Sequence, residues 1–392
     1  MKVAEIYRRL PLIFFTLVLA GLLWSRALLS IAEALTLLYG LIAFKRNKTI
    51  QYKHIIIWSV APILLFFLGA YQQPWHWDTF DYLLTLAAYP AAALFMNSLD
   101  AAQQKQIMHI WIGAVLLSLL YPLGWYVLHM KEAALRYGMG QSLPTFMDTD
   151  HVRYGLFVCS GFLLLLSNSV FQKKWQYLFT VLLGCTIVFL SVRTAWVALI
   201  IILLFHFAGS IRWYYFFAAI LLFALACFAA YEWIPTIHQK INYSIYDWQM
   251  YRSNSYTPDF SDGARRTINH IAWQTIREQH QYNVGWNEVP FILNSSFHRQ
   301  YPTAQLNYGW PFNQYLFWWL GSGFWGMLLF VSWLMYPSLI FSKKKNKAAL
   351  SWTLVIAASC FAESTLNFQY GVWLHGWVIA LVFCIAYRSN VL

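Results

Sequence analysis

The residues able to do chemistry in this chain gather in three short polar segments. The first, Gly138 to Tyr154, collects Asp148, Asp150, His151 and Arg153 just ahead of an apolar run. Ionisable groups at the mouth of an apolar helix are costly and mark a site or a pathway. Helix capping by Asp148, Thr149 or Asp150 accounts for one acid, but not for the whole His–Arg group. The second segment is Ser191-Val192-Arg193-Thr194-Ala195-Trp196, where an arginine occupies a connection so short that two apolar runs almost merge. Such an arginine must snorkel to water or find an anion. The third runs from Ser261 to Val289 and reads as an amphipathic helix, with Ser261 or Asp262 as N-cap. Its apolar stripe is Ile268, Ile271, Ala272, Thr275 and Ile276. Arg265 and Arg266 fall near its start, where cations oppose the helix dipole but a phosphate would be held by both.

These segments must be positioned by apolar elements. Of the 392 residues, 60% are hydrophobic and 11% charged, against roughly a quarter charged in soluble domains. Apolar stretches long enough to cross a bilayer recur throughout, which excludes a soluble all-helical fold. The reading is an all-α integral membrane protein of about twelve spans. They are expected at 10–24, 27–44, 54–72, 81–98, 107–129, 152–170, 175–191, 194–209, 213–231, 314–341, 348–367 and 371–387. A large, partly helical outer loop then separates spans nine and ten. The organisation is 1–232 for the first nine spans, 233–312 for the loop and 313–392 for the last three. The N-terminus imitates a signal peptide but lacks a small-residue cleavage site, so it reads as a retained helix. The five cysteines all lie in apolar runs with no CxxC spacing, so neither a disulfide framework nor a metal site is expected.

Placing both termini in the cytoplasm puts 16 of the 27 basic residues in short inner loops, as the positive-inside rule requires. Inside, Lys outnumbers Arg 11 to 5; outside, Arg outnumbers Lys 9 to 2, the two lysines being Lys131 and Lys240. Arginine carries a planar fork of donors suited to bidentate phosphate binding. An arginine-rich outer face therefore points to an anionic ligand, or else to pairing with outer acids such as Asp148, Asp150, Asp259, Asp262 and Glu288.

The chain resembles the O-antigen ligase and polymerase superfamily of bacterial envelope glycosyltransferases. The likeness runs from about residue 140 onward. Its most specific element is Asn313, a nine-residue spacer and Gly323-Phe324-Trp325-Gly326, similar to the family's turn back into the membrane. Arg193 matches a Ser-x-Arg-Thr at a helix mouth. Ser261-Asp262-Gly263-Ala264-Arg265 matches the loop-arginine segment, and Glu363-Ser364 with Gln369-Tyr370-Gly371-Val372 matches the penultimate loop of ligase-like members. Two departures stand out. Phe312 occupies the place of the motif histidine, and Asn283-Val284-Gly285 keeps one glycine of a Gly-Val-Gly.

The resemblance implies glycan transfer from an undecaprenyl-diphosphate carrier at the periplasmic face of the bacterial inner membrane, without metal or other cofactor. The acceptor would be lipid A core or another glycan, with membrane lipids as surroundings and no nucleic acid. Arg193 and Arg265 are the candidate clamp for the leaving diphosphate, with Arg153 or Arg266 as a third and Asn313 and Glu363 also in the substrate site. Phe312 can neither take nor give a proton, so the catalytic candidates move to His298 and His151, with Glu288 or Asp150 behind them. A polymerase, a transporter of a lipid-linked anion and a catalytically silent glycan-binding relative are the alternatives.

Overall fold

The computed structural model describes residues 2–47, 53–70, 77–148, 150–207, 225, 228–253, 261–278, 284–302, 307–343 and 346–388. Among them every regular element is helical. The amino-terminal part comprises α1 (Lys2–Trp24), α2 (Arg26–Asn47), α3 (Lys53–Ala70), α4 (Trp77–Leu86), α5 (Ala88–Ser98), α6 (Ala101–Ser118), α7 (Leu120–Leu128) and α8 (Met130–Gly138). Next come α9 (His151–Ser167), α10 (Lys173–Phe189), α11 (Arg193–Phe207), α12 (Pro235–Arg252), α13 (Ser261–Glu278) and α14 (Glu288–Gln300). The chain closes with α15 (Gln314–Lys343), α16 (Lys347–Ala362) and α17 (Gln369–Arg388).

Each expected span contains helix except 213–231, which lies largely outside the described residues. Among the described residues, three stretches are long and apolar enough to cross a membrane: Arg26–Lys45, Ala101–Leu128 and Gln314–Ile340. Shorter apolar helices occur at Arg9–Trp24, Lys53–Gly69, His151–Ser167, Arg193–Phe207, Lys347–Ala362 and Gln369–Ile385. The amphipathic segment expected over Ser261–Val289 is helical to Glu278. Its stripe of Ile268, Ile271, Ala272, Thr275 and Ile276 is buried. The side chains of Ser261 and Asp262, the proposed caps, lie outside the described residues, as do Thr149, Asp259 and Asn283.

Prolines explain two breaks that hydropathy misses. The expected span 81–98 is split at Ala87, where Pro90 cannot donate to the carbonyl four residues back, at Leu86. The same geometry places Pro122 four residues beyond Ser118, where α6 gives way to α7. The carbonyl freed there is not left bare: Tyr154 Oη donates to Ser118 O at 2.9 Å, the kind of repair a helix break needs away from water. A third break comes from backbone geometry. Gly323 stands inside α15 at φ 77° and ψ 176°, where a side chain would be strained.

The core is organised around α17, whose residues from Tyr370 to Cys384 are all buried. A helix apolar and buried all round is a central one. It packs on α5, α16, α9 and α6, while α3 lies along α15 and α11 along α16. Between α3 and α15, Trp58 and Trp333 exchange indole N–H bonds with each other's carbonyls at 3.1 and 2.9 Å. One end of this bundle, with α12, α13 and α14, carries the polar segments.

Candidate functional site: a cationic cavity at three helix starts

Two helices begin at one small cavity, and a third reaches it with a residue of its second turn. Its walls include His151 and Val152 from the start of α9, Arg193 and Thr194 from the start of α11, and Arg265 one turn into α13. Gly140, Ser142, Ser191, Val192 and Lys240 complete the lining, around a volume of about 90 Å³. Helix N-termini carry unpaired N–H groups and partial positive charge, so this end of the fold favours an anion before side chains are counted. The side chains reinforce it with two arginines and a lysine.

A wider groove of about 570 Å³ shares Ser191, Arg193 and Lys240 with the cavity. It is walled by Trp196, Ile241, Ser244, Ile245, Trp248 and Arg266. The pair thus offers a polar end and a larger, mainly apolar flank. Arg193 Nη2 donates to Ser244 Oγ at 3.0 Å, which fixes the guanidinium at the boundary between the two spaces. Arg266 lies flat on aromatic faces, 4.0 Å from the Trp248 ring centroid and 5.2 Å from that of Tyr251.

Lys240 was not singled out from sequence as a site residue. It projects from α12, and its Nζ donates to Gly140 O at 3.0 Å. Gly140 has φ 75°, and a Cβ there would stand 2.5 Å from the Tyr243 ring, so only glycine lets the loop approach α12 this closely. The available signal is its type: Lys240 is one of two lysines on the face that the charge pattern leads one to expect outside.

The loop ahead of α9 is pinned at two points. Asp148 Oδ2 lies 2.7 Å from Arg26 Nε and accepts from Tyr370 Oη at 3.0 Å. Met147 and Asp148 hold φ of 65° and 54°, uncommon for residues with a side chain. Asp150 is the N-cap of α9, its Oδ1 accepting from Arg153 N at 3.1 Å. Of the three capping candidates, Asp150 therefore takes the role.

Behind the cavity lies a buried charge cluster. Glu363, just past the end of α16, is 4% exposed and pairs with Arg265 Nη1 at 2.5 Å. Arg265 and Arg153 supply the positive charge that offsets the burial of this carboxylate. Arg153, also 4% exposed, donates from Nη1 to Asp150 at 3.3 Å and from Nη2 to Ser364 O at 3.2 Å. Its guanidinium stands 4.0 Å over Phe368. Its donors are directed into the protein rather than toward the cavity.

Phe312 is the residue that the motif reading sets in the place of a histidine. Its ring lies 5.2 Å from the Arg265 guanidinium and 5.9 Å from Tyr308. Next to it, Asn313 Oδ1 accepts from Tyr315 N at 2.9 Å and Leu316 N at 3.1 Å, capping α15. This turn is seated on the Glu363 loop: Ser364 Oγ donates to Pro311 O, and Gln314 joins Asn367 at 2.6 Å and Leu366 N at 2.9 Å. Asn313 and Glu363 therefore build the wall that carries Arg265, rather than lining the cavity.

The two candidate histidines are placed differently. His298 lies in the last turn of α14, bonded to Asn307 Oδ1 at 2.9 Å, and is not part of the cavity or the groove. His151 lines the cavity, at its helix mouth and one residue outside the expected span. Burial lowers its pKa to about 4, with the Lys240, Arg265 and Arg153 charges adding and Asp150 opposing. The imidazole is thus neutral near pH 7 and able to accept a proton.

A pH effect on stability follows. Between pH 6.5 and about 4 the unfolded chain protonates His151 while the folded one resists. Stability from this group is therefore lost as pH falls through that window, at up to about 1.4 kcal/mol per pH unit. Thermal unfolding in detergent should show a drop in midpoint from pH 7 to pH 4. In His151→Gln the slope should flatten.

Fold and site together define a membrane protein, all-helical among the described residues, with a cationic cavity at one end of its bundle. Residues 178–331 match the model of the O-antigen ligase family, a stretch that includes Arg193, Lys240, Arg265, Arg266 and Asn313. That stretch of the chain is similar to the O-antigen ligase family, in line with the resemblance read from the motifs. No curated protein matches the chain.

Proposed function

We propose that the protein transfers or polymerises a glycan from an undecaprenyl-diphosphate carrier at the periplasmic face of the inner membrane. In this reading the chain crosses the membrane about twelve times, both termini are cytoplasmic, and 233–312 forms the outer loop. The observation that carries it is the coupling of the cationic cavity to an apolar-walled groove through Arg193 and Lys240. A prenyl diphosphate has that same division, an anionic head on an apolar chain.

An acceptor hydroxyl, from lipid A core or another glycan, attacks the anomeric carbon. A new glycosidic C–O bond forms as the bond from that carbon to the diphosphate oxygen breaks, and the diphosphate leaves with the electron pair. Arg193, Lys240 and Arg265 stabilise the charge that develops on it. His151 is the base that takes the hydroxyl proton. Arg266 supports the groove, while Arg153 and Glu363 hold Arg265 in place.

One observation favours a second reading. Phe312 turns an unreactive ring toward Arg265 at the family's histidine position, which suits a relative that binds glycan without transferring it. Purified protein given carrier-linked glycan and candidate acceptors separates the two. Transfer by the native chain, lost in His151→Gln, is the expected result. Binding without transfer, unchanged when Phe312→His restores the motif, would establish the silent reading.

A further inference from the structure

The cavity holds one neutral, titratable group among several fixed charges, and their balance has a consequence for catalysis. His151 is faced by Arg193 from α11, Lys240 from α12 and Arg265 from α13, all on the same lining. From its own helix comes Arg153, from the cap Asp150, and from the loop after α16 Glu363. Four cations thus stand against two carboxylates, and both carboxylates are already paired, Asp150 with Arg153 and Glu363 with Arg265. The surplus is two positive charges, in a cavity of about 90 Å³. A diphosphate esterified at both ends carries one negative charge on each phosphorus around neutrality. It therefore brings the charge that the cavity lacks.

We infer that the donor's diphosphate itself arms the base: its entry cancels the cationic field on His151, so the imidazole gains proton affinity only in the loaded site. This rests on the reading of the cavity as a diphosphate site. The empty protein keeps a poor base, unready to activate a hydroxyl or water when no donor is present. The loaded protein holds an imidazole that burial still lowers but that is relieved of its cationic neighbours, so its proton affinity is higher than in the empty site and better matched to taking a proton. Departure of the diphosphate after transfer withdraws the field compensation again. The proton taken from the acceptor is then released, which resets the site. The device needs no moving part. It is a property of opposite charges sharing one small, poorly hydrated space.

The test reads protons, not product. A short-chain prenyl diphospho-N-acetylglucosamine, whose disubstituted diphosphate does not titrate near neutrality, is titrated calorimetrically into the detergent-solubilised full chain. Buffers of different ionisation enthalpy are compared at pH 5.5 and pH 7.5. At pH 5.5, above the pKa of about 4 for the empty site, binding should take up a measurable fraction of a proton, since the anion offsets the cationic neighbours but not the burial; at pH 7.5 uptake should be smaller still. Affinity should rise as pH is lowered, by up to about tenfold per pH unit. His151→Gln should still bind but take up no proton at pH 5.5, and Glu363→Gln should bind with uptake intact. Binding without uptake in the native chain overturns the inference and leaves the donor-site reading standing. Uptake that survives in His151→Gln and disappears in Glu363→Gln overturns it too, by assigning the proton to the carboxylate. Absence of binding at both pH values overturns the inference together with the donor-site reading.

Discussion

Arg153→Ala should lose about 3–5 kcal/mol of stability, enough to remove most of the folded protein, while Arg193→Ala should change stability by no more than about 0.5 kcal/mol. Both residues are arginines at the start of a helix beside the same cavity, and sequence offers both as phosphate ligands. Their surroundings differ. Arg153 is enclosed, with Asp150, the Ser364 carbonyl and the Phe368 ring as its partners. Truncation leaves Asp150 without its countercharge, weakens the field that offsets the burial of Glu363, and opens a void against Phe368. Arg193 is exposed, with Ser244 as a neighbour on the same face. Thermal unfolding in one detergent, compared across native, Arg153→Ala, Arg153→Lys and Arg193→Ala proteins, measures the difference. Lysine keeps the charge but not the planar fork that reaches Asp150 and Ser364 together, so it should recover only part of the loss. An Arg153→Ala protein as stable as Arg193→Ala would show that the buried cluster contributes little.

The second large effect concerns activity. In the transfer assay, Arg193→Ala and Arg265→Ala should each lower the rate about 10²- to 10³-fold, as removal of one donor to a developing oxyanion does elsewhere. Arg193→Ala gives the cleaner measurement because its stability should be unchanged. Arg265→Ala also strands Glu363, buried and deprived of its partner at 2.5 Å. Arg265→Lys and the double variant Arg265→Ala/Glu363→Gln separate the lost donor from the stranded acid. If the two arginines grip one diphosphate, the double variant Arg193→Ala/Arg265→Ala should fall short of the product of the single effects. Rates within twofold of native in both single variants would remove the clamp from the mechanism.

Much of the helical framework was legible because hydropathy is a local signal. Long apolar runs fix where helices lie, and the stripe in α13 predicts its buried face. What was not legible came from local chemistry read too coarsely, or from distance. Pro90 and Pro122 each split an expected span, and only the backbone N–H they lack explains the break positions. The partners of Arg153 were out of reach for a different reason. Asp150 is adjacent, but Ser364 and Phe368 lie more than two hundred residues away, and nothing local announces that they enclose it. Arg193, Arg265 and His151 were proposed separately and line one cavity. Lys240 joins them because a glycine with positive φ lets the loop before α9 settle against α12. That closeness is three-dimensional and leaves no pattern in the sequence beyond the glycine itself.

The meeting of helix starts has a further consequence for how such a protein can change over generations. The N–H groups at those starts belong to the main chain, so of all substitutions only one to proline deletes any of them. A weak, unspecific preference for anions survives whatever decorates the rim. Side chains around it are then freer to drift than the main chain that they decorate. The backbone sets a floor under affinity, and the variable rim is where selection can write a new glycan or a new partner.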